Sequence, residues 1–292
     1  MKTPIDWLDV CRRASARQTD LFASSRTISE RTVYEGRGEG GDMTLELDRQ
    51  CEDIVFDELE RIAAAGHALL AISEERGAVR LGPTDETGDG DDPVHRVVID
   101  PIDGSMNVRR TIPSHSLSIA VADGDSMADV TFGFVHDFGA GDEFHATLGE
   151  GAFMNDSPLG VDLPQHGLEV VGIESADPRW VLGSIAALQG EAYRLRIVGS
   201  LAITVSYVAA GRFDAMLSVR GCRSVDVAAA QLVLREAGGA VQFMGMELSE
   251  APLDLDARYS VVGSLDPAHL EIVRAAQADG DGPSRWLRWS TG

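Results

Sequence analysis

Apolar residues recur at helical spacing through Ile5, Leu8, Cys11 and Ala14, which predicts an amphipathic helix over residues 5–23. A glycine-rich stretch follows at 34–42. A second helix is predicted over 44–65, with Leu47, Cys51, Ile54, Val55 and Leu59 on one side. Residues 68–73 read as a short apolar strand that runs into Glu74-Glu75. Residues 82–93 mix Gly, Pro and acids and predict an exposed, mobile loop. Another strand is expected over 94–100, stopping at Pro101, which has no N–H for a ladder. Runs at 117–121, 128–136 and 143–147, separated by Gly/Asp turns, predict antiparallel strands.

From residue 168 the pattern changes to strands interleaved with helices. Strands are expected at 168–173, 195–198, 213–219, 240–243 and 260–262. Helices are expected at 178–188, 200–210, 225–237 and 267–278. The whole predicts a layered helix-and-sheet sandwich, α+β in an N-terminal half (residues 1–160) and α/β in a C-terminal half (161–292). The tail Arg285-Trp286-Leu287-Arg288-Trp289 is expected either to fray or to dock on the core or on a partner chain.

Composition narrows the function. At 44% hydrophobic and 25% charged residues, the 292-residue chain is an ordinary globular protein. Its 47 acidic against 25 basic residues give a net charge of −22. Such a surface repels nucleic-acid backbones and anionic membranes, so neither is an expected partner. No apolar run suggests a signal peptide or a transmembrane helix. A single lysine, Lys2, stands among the basic residues, which suits a salt-adapted proteome or a GC-rich genome. Cys11, Cys51 and Cys222 have no CxxC spacing, which argues against a disulfide framework and a zinc site. A cytoplasmic, reducing setting is expected.

The chemistry concentrates in Val97-Val98-Ile99-Asp100-Pro101-Ile102-Asp103-Gly104-Ser105-Met106-Asn107. An apolar strand delivers Asp100 to its end, where a carboxylate is costly unless compensated. Asp103 follows three residues later, and Gly104-Ser105 open a helix whose first N–H groups lack internal partners. Two carboxylates beside a helix start suit a divalent cation and an anion together. Asp103 alone also reads as a simple helix cap. Glu74 and Glu75 at a strand end, and Asp226 at the start of a helix, occupy positions where open α/β sheets place ligands. Each of these, taken singly, also reads as a solvated surface acid or a cap.

Taken together, these segments resemble the inositol monophosphatase superfamily of magnesium-dependent phosphomonoesterases. The resemblance rests on Ser73-Glu74-Glu75, on Asp100-Pro101-Ile102-Asp103-Gly104-Ser105-Met106-Asn107, and on Val225-Asp226-Val227-Ala228-Ala229 running on to Gly238-Gly239. Gly199-Ser200-Leu201-Ala202, Tyr207 to Asp214, and Met43-Thr44 leading to Asp48 extend it. The approach to Asp226 looks most like the archaeal-type branch, whose members often hydrolyse both inositol phosphates and fructose 1,6-bisphosphate. The resemblance implies the layered αβαβα sandwich of the sugar phosphatases and two or three Mg2+ per site. It implies that Glu74, Asp100 and the Ile102 carbonyl hold one ion and that Asp100, Asp103 and Asp226 hold a second, with Glu74 contributing to a third. Asp48 and Ser105 would orient and help deprotonate the attacking water, and the Gly104 and Ser105 N–H groups would receive phosphate oxygens. A small phosphate ester is the implied partner, and a homodimer the implied assembly. Nothing in this scheme needs a covalent nucleophile. His95, His115, His136 and His145 are expected to be strand and loop residues, since magnesium prefers oxygen.

The chain departs from the family pattern at three places. Ser105 stands where many relatives have Thr, which keeps the hydroxyl. Val225 replaces a Trp that often precedes the last acid. Neither Val219 nor Arg220 supplies the acid that contacts inositol hydroxyls in the animal enzymes. Arg194, Arg196, Arg220 and Arg223, near Gly199 and Ser200, are instead expected to favour a substrate with a second phosphate. The alternatives are a phosphatase of the same superfamily acting on 3′-phosphoadenosine 5′-phosphate or histidinol phosphate, and a non-catalytic relative acting as a binding protein.

Overall fold

The computed structural model describes residues 4–37, 43–83, 94–160 and 167–280. In chain order the elements are α1 (Trp7–Ser24), β1 (Tyr34–Arg37), β2 (Met43–Leu45), α2 (Glu46–Ala64), β3 (Leu69–Ser73), β4 (Gly77–Leu81), β5 (His95–Asp103), α3 (Ser105–Arg109), β6 (Ser116–Ala122), β7 (Val130–Asp137), β8 (Asp142–Thr147), β9 (Gly151–Met154) and β10 (Ser157–Pro158). They continue with β11 (Val170–Glu174), α4 (Val181–Ala187), β12 (Arg194–Arg196), α5 (Leu201–Ala209), β13 (Ala215–Ser218), α6 (Ser224–Glu236), β14 (Ala240–Phe243), β15 (Val261–Ser264) and α7 (Pro267–Gly280).

Two sheets organise the molecule. One runs β10-β9-β8-β7-β6-β5-β3-β4, and the other β12-β11-β13-β15-β14. The large sheet is antiparallel except where β3 runs parallel to β5. In the small sheet β12, β11 and β13 are parallel, while β15 runs antiparallel to both β13 and β14. The period of two along each strand sets the layers. Val97 and Ile99 of β5 face α1 and α2, burying Val10, Cys11, Val55 and Leu59. Val98, one residue between them, turns to the opposite face and packs with α5 and α6. Met216 of β13 joins that same central core, whereas Ala215 and Leu217 face α4 and α7. Helix pair, sheet, helix pair, sheet and helix pair thus stack as the expected αβαβα sandwich. The sheets change between β10 and β11, yet one core of α5, α6 and both sheets joins the two halves.

Several expectations are corrected. The strand over 94–100 does not stop at Pro101, because β5 continues to Asp103. The proline lies where the ladder to β6 shifts register, between Asp100↔Ser118 and Asp103↔Ser116, so its missing N–H breaks no cross-strand bond. The second helix begins at Glu46 rather than 44, because Met43–Leu45 pairs with β1. The short strands β1, β2, β4, β9 and β10 are not among the expected elements, and β1 takes up the first residues of the glycine-rich loop expected at 34–42; none carries an apolar run long enough to show a period. Most of the 82–93 loop and the whole 285–289 tail lie outside the described residues. Cys11, Cys51 and Cys222 are buried and free. Among the described residues no helix is long and apolar enough to cross a membrane.

Candidate active site

The site begins at the end of β5. The apolar run before it draws Asp100 inside, to 2% exposure, where the Ile102 N–H donates to its Oδ1 at 2.9 Å. Pro101 and Ile102 have no register partner on β6, so this stretch is bowed out of the ladder. Gly104 then caps α3 with φ of +97°, a left-handed conformation that favours glycine. A Cβ there would also meet the Ser114 carbonyl at 2.9 Å. Asp103 is not the cap. Its Oδ2 accepts instead from the Ser200 hydroxyl at 2.6 Å and from the Ala202 N–H at 2.7 Å, so α5 fixes it. Ser105 is the first residue of α3 and is partly buried.

Glu74 enters from the turn joining β3 to β4. Asp226 does not precede its helix but is the third residue of α6, where it accepts from the Arg223 N–H at 2.7 Å. Asp48 holds the same place in α2 and accepts from the Leu45 N–H at 3.2 Å. In both, a carboxylate in the first turn satisfies one orphan N–H and lies near the positive end of the helix. Asp48 Oδ1 is buried with no hydrogen-bond partner.

Charge is concentrated here. Burial, together with repulsion from Glu74, Asp103 and Asp226, pushes the Asp100 carboxyl well up. Burial and the neighbouring Asp226 raise Glu74 to about 7, against the pull of Arg223. Burial and Asp103 raise Asp226 to about 7. Burial raises Asp103 to about 7 despite its bonds from Ser200 and Ala202. Asp48 also reaches about 7, from burial first and then from Glu75 and Glu74. Carboxylates this mutually unfavourable are relieved by protons or by a bound cation. An all-oxygen donor set of four acids fits a hard ion such as Mg2+ and not a thiophilic one.

The expected substrate contacts divide. Ser200 caps α5, accepting from the Ile203 N–H at 3.3 Å, and reaches Asp103 as described. Gly199, with φ of +81°, sits beneath Asn107, where a Cβ would meet Nδ2 at 2.9 Å. Arg223 pairs its guanidinium with Glu74. Arg194 and Arg196 lie exposed on β12, the edge of the small sheet. Arg194 stacks 3.8 Å over the Tyr193 ring, and Arg196 donates to the Leu195 carbonyl, so their described contacts are local. Arg220 is exposed, with Asp177 as a charged neighbour.

The sequence reading missed Glu174. This carboxylate closes β11, is 3% exposed, and accepts from Val198 N, Gly199 N and the Thr204 hydroxyl. The signal that singled out Asp100, an acid ending an apolar strand, applies to it equally. A separate group, Glu143, His145 and Asp156, brings three ligand atoms within 4.8 Å of one another. Arg12 donates to both of its acids and offsets part of their charge.

Comparison with known proteins identifies the family. The family model described as the inositol monophosphatase family matches residues 8–279. A fructose-1,6-bisphosphatase/inositol-1-monophosphatase of Methanothermobacter thermautotrophicus is 32% identical over 235 residues, covering 78% of this chain and 80% of that protein. An inositol-1-monophosphatase of Mesorhizobium japonicum is 34% identical over 218 residues, covering 70% and 73%. A crystal structure titled as an inositol monophosphatase–fructose 1,6-bisphosphatase superposes with a TM-score of 0.78 at 23% identity, over 93% of this chain and all of that one. With its sandwich fold, its acids on the ends of β5 and in the first turn of α6, and a family match across nearly its whole length, the chain belongs to the inositol monophosphatase family.

Proposed function

We propose that this protein is a Mg2+-dependent phosphomonoesterase acting on a small sugar or inositol phosphate. The observation that carries the reading is the convergence of Glu74, Asp100, Asp103 and Asp226 beside the first turn of α3. In this reading Glu74, Asp100, the Ile102 carbonyl, Asp103 and Asp226 hold two or three Mg2+. Bound there, the ions supply Lewis acidity toward the phosphoryl group and a more acidic water. The chain's own groups do the rest. The unpartnered Asp48 Oδ1 is the acceptor for the proton of the attacking water. The Ser105 hydroxyl orients the attacking water. The Gly104 and Ser105 N–H groups, at the start of α3, hold phosphate oxygens in line. No covalent step through the protein is involved.

Fructose 1,6-bisphosphate is the first substrate to test, beside inositol 1-phosphate. Val219 cannot accept from sugar hydroxyls, and Arg220 offers a bidentate donor to a second phosphate. The relative from Methanothermobacter carries both activities in its name. A homodimer and a cytoplasmic setting belong to the same reading, and sedimentation addresses the first. The deciding assay measures phosphate release from fructose 1,6-bisphosphate, inositol 1-phosphate, 3′-phosphoadenosine 5′-phosphate and histidinol phosphate, with Mg2+ and with EDTA. Mg2+-dependent release from the first two is expected. Release from none would favour a non-catalytic relative.

A further inference from the structure

We propose that Glu174 is a positioning residue, a buried carboxylate that shapes the turn before α5 and through it holds Asp103 and α3 in place. The inference rests on the reading above for what Asp103 and α3 do, and on geometry for the rest.

Glu174 sits at the end of β11, outside the proposed ligand set. Its Oε1 accepts from the Thr204 hydroxyl at 2.6 Å and from Val198 N at 3.2 Å, and its Oε2 accepts from Gly199 N at 3.1 Å. Two of the donors lie in the turn between β12 and α5, and the third, Thr204, lies in the first turn of α5. That turn then does two things. Ser200 Oγ and Ala202 N grip Asp103 Oδ2 at 2.6 and 2.7 Å. The Val198 carbonyl accepts from Asn107 Nδ2 at 2.8 Å, and the same amide reaches the Ser114 carbonyl at 2.7 Å, which ties α3 down. One carboxylate therefore braces both the Asp103 side chain and the helix that carries Ser105.

The cost of burying this group supports the assignment. Among the described residues Glu174 has no cationic partner. A buried carboxylate without a counter-charge is poor value as a stabiliser, since an uncharged residue of the same shape avoids its desolvation. What an uncharged residue lacks is acceptance at every lone pair. Glutamine would turn an NH2 toward one of the three donors and push the turn away.

The test is Glu174→Gln, with kcat, KM, melting temperature and calorimetric Mg2+ affinity measured together. We expect kcat and Mg2+ affinity to fall by about 10–100-fold, as for groups that orient a metal's ligands. KM should stay within about twofold, and the melting temperature should hold or rise. Thr204→Val, which removes one donor, should move the same quantities in the same direction by less. Glu174→Gln and Ser200→Ala should combine to less than the sum of their effects, because they act on Asp103 by one route. Unchanged kcat and Mg2+ affinity, a loss explained by a lower melting temperature, or full additivity with Ser200→Ala would overturn the proposal. A wild-type chain that binds Mg2+ without turnover would remove the phosphatase reading and leave the Mg2+ comparison to decide Glu174. No Mg2+ binding by the wild type would overturn both.

Discussion

The Arg223 guanidinium pairs with the Glu74 carboxylate, joining the residue that caps α6 to the turn after β3 across two layers of the sandwich. The same residue's N–H holds Asp226, so Arg223 touches two of the four converging acids. A guanidinium engaged with a metal ligand competes with a divalent cation for it. Arg223→Gln should therefore tighten Mg2+ binding by up to about tenfold, equivalent to ~1.4 kcal/mol, as expected for loss of a charge-assisted bond. Titration calorimetry checks this. Weaker binding in the variant would mean that Arg223 serves chiefly to hold Glu74 in place.

Stability should depend on pH in a direction opposite to that of a salt-bridged protein. Without metal, the folded carboxyls of Asp48, Glu74, Asp103 and Asp226 sit at about 7 and Asp100 higher than usual. In an unfolded chain such acids titrate near ~4. Between those values the folded state holds more protons, so stability falls as pH rises from about 4 through about 7. Mg2+ selects the ionised carboxylates, and it should raise the melting temperature more at about pH 8 than at about pH 5.5. Scanning fluorimetry with Mg2+ or EDTA at both values reads this directly. An equal Mg2+ shift at the two would contradict it.

Ser105→Ala should lower kcat by ~10²–10⁴-fold, the usual worth of a positioned acid–base group, with KM little changed. The hydroxyl stands on the first residue of α3, where the proposed mechanism has it orient the attacking water. A raised KM with unchanged kcat would make Ser105 a binding residue and leave Asp48 to activate the water alone.

The sequence was most legible where local chemistry and tertiary role coincide. Asp100 and Asp103 are flanked by an apolar strand and a Gly-Ser helix start, and each of these signals is local. The long helices declared themselves through their apolar stripe, as at Cys51, Val55 and Leu59. Legibility failed where a residue's meaning comes from another layer. For Asp103 the sequence offers both a metal-ligand and a helix-cap reading, and only α5, through Ser200 and Ala202, removes the cap. Glu174 carried the same strand-end signal as Asp100 but had no neighbouring motif, because its partners lie 24 to 30 residues away. The arginines were the least legible. Arg194 and Arg196 stay on the exposed sheet edge and Arg223 turns to Glu74, because charge alone does not say which way a side chain points.

The central claim is that an acid cluster built on Asp100 performs Mg2+-dependent phosphate transfer to water. Asp100 is buried, lies among three other acids, and has a backbone N–H as its described partner. Asn keeps its shape and the Oδ1 acceptor while losing the charge. The measurement is Mg2+-dependent phosphate release from fructose 1,6-bisphosphate by Asp100→Asn beside wild type. The account predicts a fall of about two orders of magnitude or more, because a carboxylate that would hold the ions would supply several kcal/mol of transition-state stabilisation through them. The variant should remain folded, with a metal-free melting temperature at about pH 8 no lower than wild type, since one buried charge is gone. Substantial activity retained by a folded Asp100→Asn would contradict the account.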